Sequence, residues 1–128
     1  MKKLLLIFAS TTLAFSASGQ VYKEYDVDKS ASFPGGEMAL YTFLQDSLRY
    51  PNEAIQNNVK GSVFVELTID KTGNITQVKP IKGIGNGCDE EAVRLVKAMP
   101  RWQPAQKGNK SVAMLYNLRI LFLPPEKK

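Results

Sequence analysis

Histidine is missing from this chain, and with it go the commonest general base and the commonest metal ligand. Cysteine occurs once, at Cys88, so no disulfide can form within the chain and stability has to come from a packed core. Positive charge is not concentrated either: Lys60, Lys71, Lys79, Lys82, Arg94, Lys97, Arg101, Lys107 and Lys110 stand apart from one another. Scattered cations read as a solvated surface, not as the basic block with which a domain grips nucleic acid. Also lacking is an apolar run of the roughly 20 residues that a membrane-spanning helix needs. The run from Leu4 to Phe15 is interrupted by Ser10, Thr11 and Thr12.

That interrupted run has the form of an export signal. Lys2 and Lys3 precede it and Ala17, Ser18 and Gly19 come after it, the charged, apolar and small-residue order that a signal peptidase reads. Residues 1–19 are expected to be cleaved, leaving Gln20 first and the protein in the periplasm; a retained signal would anchor it in the inner membrane instead. Gln20 is not cysteine, so it offers no lipid attachment site. Lys2 and Lys3 leave with the signal, so the remaining 17 − 2 basic residues only mildly exceed the 12 acidic ones. The mature chain is long enough for one domain, and a hydrophobic fraction of 44% is enough for one core.

Residues 20–32 are polar, carry Asp26, Asp28 and Lys29, and show no sustained period, so they are expected to be a flexible lead-in. The domain proper is expected over 33–128. Leu40, Phe43, Leu44 and Leu48 recur at helical spacing from Glu37 onward. Pro51 disfavours helix at Tyr50 and suits the start of a second short helix through Ala54 and Ile55. Val63, Val65, Leu67 and Ile69 alternate as a half-buried strand, with Phe64 out of pattern, and Asp70 to Asn74 supply turn chemistry before a partner strand over 75–82. Pro80 cannot donate to a ladder, which predicts a bulge or an unpaired edge there. A further helix is expected to be capped by Asp89 and to bury Ala92, Leu95, Val96 and Met99. Pro100 and Pro104 then end helical structure, and a long last strand aligns Val112, Met114, Tyr116, Leu118, Ile120 and Phe122 on one face. The order helix, strand, strand, helix, strand is that of an α+β domain whose sheet is at least partly antiparallel.

No catalytic group, metal site or cofactor motif emerges. Cys88 stands near a helix start, but Asp89, Glu90 and Glu91 beside it oppose a thiolate, so a small buried structural residue is the reading. Gly83, Gly85 and Gly87 resemble a dinucleotide fingerprint only superficially, because the third required glycine position holds Cys88 and the acids beyond it would repel a pyrophosphate. Trp102, between prolines, reads as a lid on the core. The feature that exceeds a plain scaffold is the second face of the last strand. Leu115, Leu121 and Leu123 accompany Asn117 and Arg119 there, more apolar than a wetted face requires. If that strand lies at the sheet edge, its unpaired backbone can receive a partner strand, with Ala113, Leu115, Asn117, Arg119 and Leu121 as partner-binding positions. A second copy of the chain, or the lead-in, is the competing occupant.

Several short motifs carry a family resemblance. They are Phe33-Pro34-Gly35-Gly36, Tyr50-Pro51 with Ala54, Gly61-Ser62-Val63, Asp70 to Gly73, and Gly83-Ile84-Gly85. Farther along the chain come Gly87-Cys88-Asp89-Glu90-Glu91-Ala92, Met99-Pro100, Trp102-Gln103-Pro104 and Tyr116-Asn117-Leu118. In this order and spacing the chain resembles the TonB C-terminal domain family. The resemblance implies two main helices on one side of a three-stranded antiparallel sheet. It also implies binding, by strand addition, to the TonB box of outer-membrane transporters, and so a part in energy-coupled uptake. If anchored, the chain would also meet the inner-membrane motor proteins ExbB and ExbD. The sequence departs from a full energy transducer in having no firm anchor and no proline-rich linker. That keeps open a structural interaction module of the envelope, pairing with itself as a homodimer or with a non-transporter partner.

Overall fold

A computed structural model describes residues 20–124; the expected signal peptide lies outside the described residues. Strand β1 (Val21–Lys23) is followed by a single 3-10 turn at Glu24–Asp26. Helices α1 (Glu37–Ser47) and α2 (Asn52–Gln56) come next, then the hairpin of β2 (Gly61–Ile69) and β3 (Ile75–Lys82). Helix α3 (Cys88–Lys97) leads to the short β4 (Ala105–Lys107) and the long β5 (Lys110–Phe122).

The fold is α+β, but its sheet is richer than three antiparallel strands. The spatial order is β1-β5-β2-β3, with β4 pairing β5 as a hairpin. Strands β3, β2 and β5 form the expected antiparallel centre, and β1 adds a parallel strand, so the sheet is mixed. The two main helices, α1 and α3, are accompanied by the short α2, which lies between α1 and β2. The flexible lead-in is corrected as well. Val21 to Lys23 pair with Ala113 to Leu115, and Asp28 and Lys29 both donate backbone N–H groups to the Gln106 carbonyl at 2.8 and 3.1 Å. Ser32 and Gln103 exchange two backbone hydrogen bonds, while Ala31 and Phe33 are buried in the core. No periodicity announces this segment because it borrows an edge already built by β5 instead of forming an amphipathic element of its own.

The core forms where the two periodicities meet. Val63, Val65, Leu67 and Ile69 from β2 and Met114, Leu118, Ile120 and Phe122 from β5 are buried on one face of the sheet. Leu40 of α1, Ala54 of α2 and Cys88, Ala92, Leu95 and Val96 of α3 join the same cluster. Each large aliphatic side chain so buried contributes roughly 1.5–3 kcal/mol relative to exposure. Trp102 is buried with the core, 4.9 Å from Tyr116 and 5.7 Å from Phe33 in edge-on contacts. Its backbone N–H donates to the Gly73 carbonyl at 2.9 Å. Gly73 has φ of 92° and a Cβ there would overlap the Trp102 carbonyl, so glycine is required where the hairpin tip docks.

Two local expectations resolve in detail. The ladder between β2 and β3 shifts between Phe64 and Val65, whose partners are Lys82 and Pro80, leaving Ile81 unmatched. That bulge accommodates Pro80. Asp89, by contrast, does not cap α3: the N-cap position is Gly87, in the left-handed region. The Asp89 carboxylate instead turns back to accept the N–H groups of Ile84 and Gly85 at 2.9 and 3.3 Å, tying the glycine loop to the helix start.

Candidate functional site: the open edge of the last strand

Strand β5 is paired along one edge by β2 in an unbroken register from Gly61 opposite Phe122 to Ile69 opposite Met114. Along its other edge, β1 ends at Lys23 opposite Leu115 and the chain turns away. Among the described residues, the stretch from Tyr116 to Phe122 therefore has a strand neighbour on one side only.

This geometry divides the five positions expected to bind a partner. Ala113 and Leu115 are half-buried and lie opposite Val21 and Lys23, so β1 already fills their place in the ladder, a correction to the reading of one continuous free edge. Asn117, Arg119 and Leu121 lie beyond the end of β1 and are exposed. The lead-in thus does occupy the edge, but only its first part.

Beside the open stretch runs a groove of about 330 Å³, lined by Arg119, Ile120, Leu121 and Leu123 on the strand side and by Tyr41, Leu44, Gln45 and Leu48 on the helix side. Tyr41 and Leu123 stay well exposed, at 64% and 59%. A strand laid along β5 here would find unpaired backbone on one flank and an apolar helix wall on the other. The helix wall is missed by sequence reasoning because helical spacing puts Leu44 and Leu48 on the core face and gives Tyr41 no face. The available signal is the spacing of Met38, Tyr41, Leu44 and Leu48, which makes the apolar stripe of α1 wider than Leu40 alone needs.

The wall is held in position from α3. Arg94 Nε pairs with Glu91 at 2.7 Å, and Arg94 Nη2 donates to the Ser47 carbonyl at the end of α1 at 2.8 Å. The Arg49 backbone N–H donates to Glu91 Oε2 at 2.7 Å, just after the helix ends. Burial resists the Glu91 charge, but the Arg94 guanidinium and the Arg49 N–H outweigh it and hold the carboxyl below its usual range. The Tyr50 hydroxyl donates to the Val59 carbonyl, and its ring meets Phe122 at 5.9 Å, fixing the α1–α2 connection against the end of β5.

Cys88 does not line the groove and is fully buried, and burial together with Asp89, Glu90 and Glu91 pushes its thiol up. It has the character of a packed helix-entry residue, not of a nucleophile. No helix among the described residues is long and apolar enough to cross a membrane.

A family model described as the C-terminal part of the Gram-negative bacterial TonB protein matches residues 46–124, which take in α2, the β2–β3 hairpin, α3, β4 and β5. Comparison with curated proteins and with solved structures finds no significant match.

Proposed function

The chain belongs to the TonB C-terminal family, a transport-associated, non-enzymatic domain class, and from that membership we propose that it recognises TonB-box-like segments of outer-membrane transporters by β-strand addition. The observation that carries this reading is the one-sided pairing of β5 from Tyr116 to Phe122 beside the groove under Tyr41, Leu44 and Leu48. An added strand gains main-chain hydrogen bonds from the edge and apolar contact from alternate side chains that point into the groove. Asn117, Arg119 and Leu121 flank it on the open face. Ala113 and Leu115 hold β1, and so set where the added strand must stop.

Export by a cleavable signal over residues 1–19 would place this edge in the periplasm, where transporter segments present themselves. Mass spectrometry of the exported protein is then expected to find Gln20 at the N-terminus. Retention of Met1 in the membrane fraction would instead support an anchored chain that meets ExbB and ExbD.

The test of the binding mode is a proline and alanine scan read by anisotropy of a labelled TonB-box peptide. Proline removes a donor and obstructs pairing, whereas alanine keeps both backbone groups. Successive backbone N–H groups point to opposite edges, so Asn117 and Arg119 form one parity and Tyr116 and Leu118 the other. Proline at positions of one parity is expected to abolish peptide binding with the fold intact by circular dichroism, while alanine at the same positions weakens it only modestly. Peptide binding that survives every folded proline variant would rule this edge out. Concentration-dependent dimerisation abolished by the same prolines, without peptide binding, would assign the edge to self-pairing.

A further inference from the structure

The open face of the sheet carries a feature that reaches beyond the strand-addition site, from Arg119 and Leu121 on β5 across to β2 and β3. In the register of the three central strands, Phe64 of β2 lies opposite Lys82 of β3 on one side and Arg119 of β5 on the other. An aromatic ring, 40% exposed, thus stands between two exposed cations. Exposed Leu121, opposite Ser62 in the adjacent row, and Leu123 continue the apolar surface toward the end of β5. Charge along this face is uneven. One row away, Lys79 stands opposite the carboxylate of Glu66 in the register, whereas Lys82 and Arg119 both stand opposite Phe64; among the described residues neither of these two is in an ion pair, Arg119 Nε donating only to the Ser62 hydroxyl at 2.9 Å.

Strands are about 4.8 Å apart, so a strand added beside β5 would run roughly 10 Å from β2 and roughly 14 Å from β3. Phe64 and Lys82 are therefore beyond the added strand, and the row extends from Arg119 onto a surface that an added strand does not cover. The backbone of Phe64 is already paired on both sides, so this surface offers side chains only, with nothing to order the backbone of a peptide. Cations on the two outer strands, flanking an aromatic ring and two leucines, instead match a plane of mobile phosphates over hydrocarbon.

The geometry points to an anionic phospholipid surface as the partner of this face: Lys82 and Arg119 meet lipid phosphates while Phe64, Leu121 and Leu123 enter the interface. Docking of this kind would hold a chain without a spanning helix among its described residues at the membrane, with the outer backbone groups of β5 still unpaired.

Sedimentation with vesicles tests it, using phosphatidylcholine alone and phosphatidylcholine with roughly one-third phosphatidylglycerol. The purified protein is expected to pellet at least about fivefold more with the anionic vesicles, and to be released by about 0.5 M salt. Lys82→Gln and Arg119→Gln should each weaken binding about fivefold, and Phe64→Ala about tenfold. Phe64→Thr, which keeps strand propensity, serves if the alanine variant fails to fold. Lys71→Gln makes the same charge change in the hairpin turn at the far end of the sheet and should alter binding less than about twofold. Peptide affinity at the β5 edge should be unchanged by Phe64→Ala and Lys82→Gln, so failure of this proposal and failure of the strand-addition reading are separable. Equal pelleting with neutral vesicles, or equal loss from Lys71→Gln, overturns it. So does capture of an acidic peptide by the Phe64 row in the absence of any vesicle binding.

Discussion

Among the described residues, the two outer strands of the central antiparallel unit each leave an edge unfilled, β3 along its length and β5 from Tyr116 to Phe122, yet they are built in opposite ways. On β3 the ladder shifts twice, leaving Thr76 and Ile81 without partners, and Pro80 together with Lys79 and Lys82 interrupts the remainder. These are the devices by which sheets discourage unwanted pairing. On β5 the register with β2 runs without a shift from Met114 to Phe122, and no proline or bulge intervenes. An apolar groove lies alongside it. On the proposed reading, the difference teaches that an open edge can receive a partner strand when it is regular and walled, whereas a bulged edge discourages one without being covered.

The largest effect should come from making the two edges alike. Arg119→Pro, or Leu118→Pro if the donors of that parity face outward, is expected to lower affinity for a TonB-box peptide by at least about tenfold. Thr76→Pro, at an unmatched residue of β3, should leave it within about twofold. Isothermal titration with both variants, each checked for folding, decides the matter, and equal losses from the two would erase the distinction between the edges.

The wall should matter next. Tyr41→Ala removes a side chain that is mostly exposed, so thermal stability should hardly move, while peptide affinity falls about fivefold to tenfold as the groove loses its aromatic contact. An unchanged affinity would leave the regular backbone of β5 as the whole difference between the two edges.

A smaller and more indirect effect is expected from the clamp that holds the wall. Glu91→Ala leaves Arg94 and the Arg49 N–H without their acceptor, which should cost about 1–3 kcal/mol in urea unfolding and weaken peptide binding about threefold as α1 loosens. Cys88→Ser, in the first residue of the same helix but away from the groove, should cost about 1 kcal/mol and leave affinity untouched. If both variants change affinity alike, the effect is general softening and the clamp has no particular role.

The reach of the sequence shows the same division. Val63, Val65, Leu67 and Ile69 announce β2, and Ala92, Leu95 and Val96 announce α3, because each element pairs its own periodicity with one buried face. Strand β1 is silent, since three residues hold no period and their partners lie far along the chain. The same silence hides the division of the proposed docking edge: the face of β5 can be read from alternation, but where its neighbour stops cannot. Tyr41 is hidden differently, because a wall residue on a helix looks like any surface aromatic until the strand opposite it is placed.

The smallest expected effect is a response to acid, and it separates the two edges by their carboxylates. Asp70 Oδ1 accepts hydrogen bonds from the Thr72 N–H, the Thr72 hydroxyl and the Asn74 N–H in the turn that ends β2 and begins β3. Burial opposes its charge, but these bonds outweigh it and lower its pKa below the ordinary 3.8. Glu91, on the β5 side, is lowered below the ordinary 4.5 by its own partners against the same resistance. A carboxyl whose folded pKa is depressed gives stability that is whole above its ordinary value and is lost as pH falls through the folded value. Both groups should therefore destabilise the fold on acidification toward about pH 3, with Glu91→Gln and Asp70→Asn each flattening part of the slope. Only Glu91 holds the groove wall, so affinity for a peptide without ionisable side chains should decline with acid in the parent and in Asp70→Asn, but not in Glu91→Gln. A decline of the same size in all three would place the acid response in global unfolding and detach it from the docking edge.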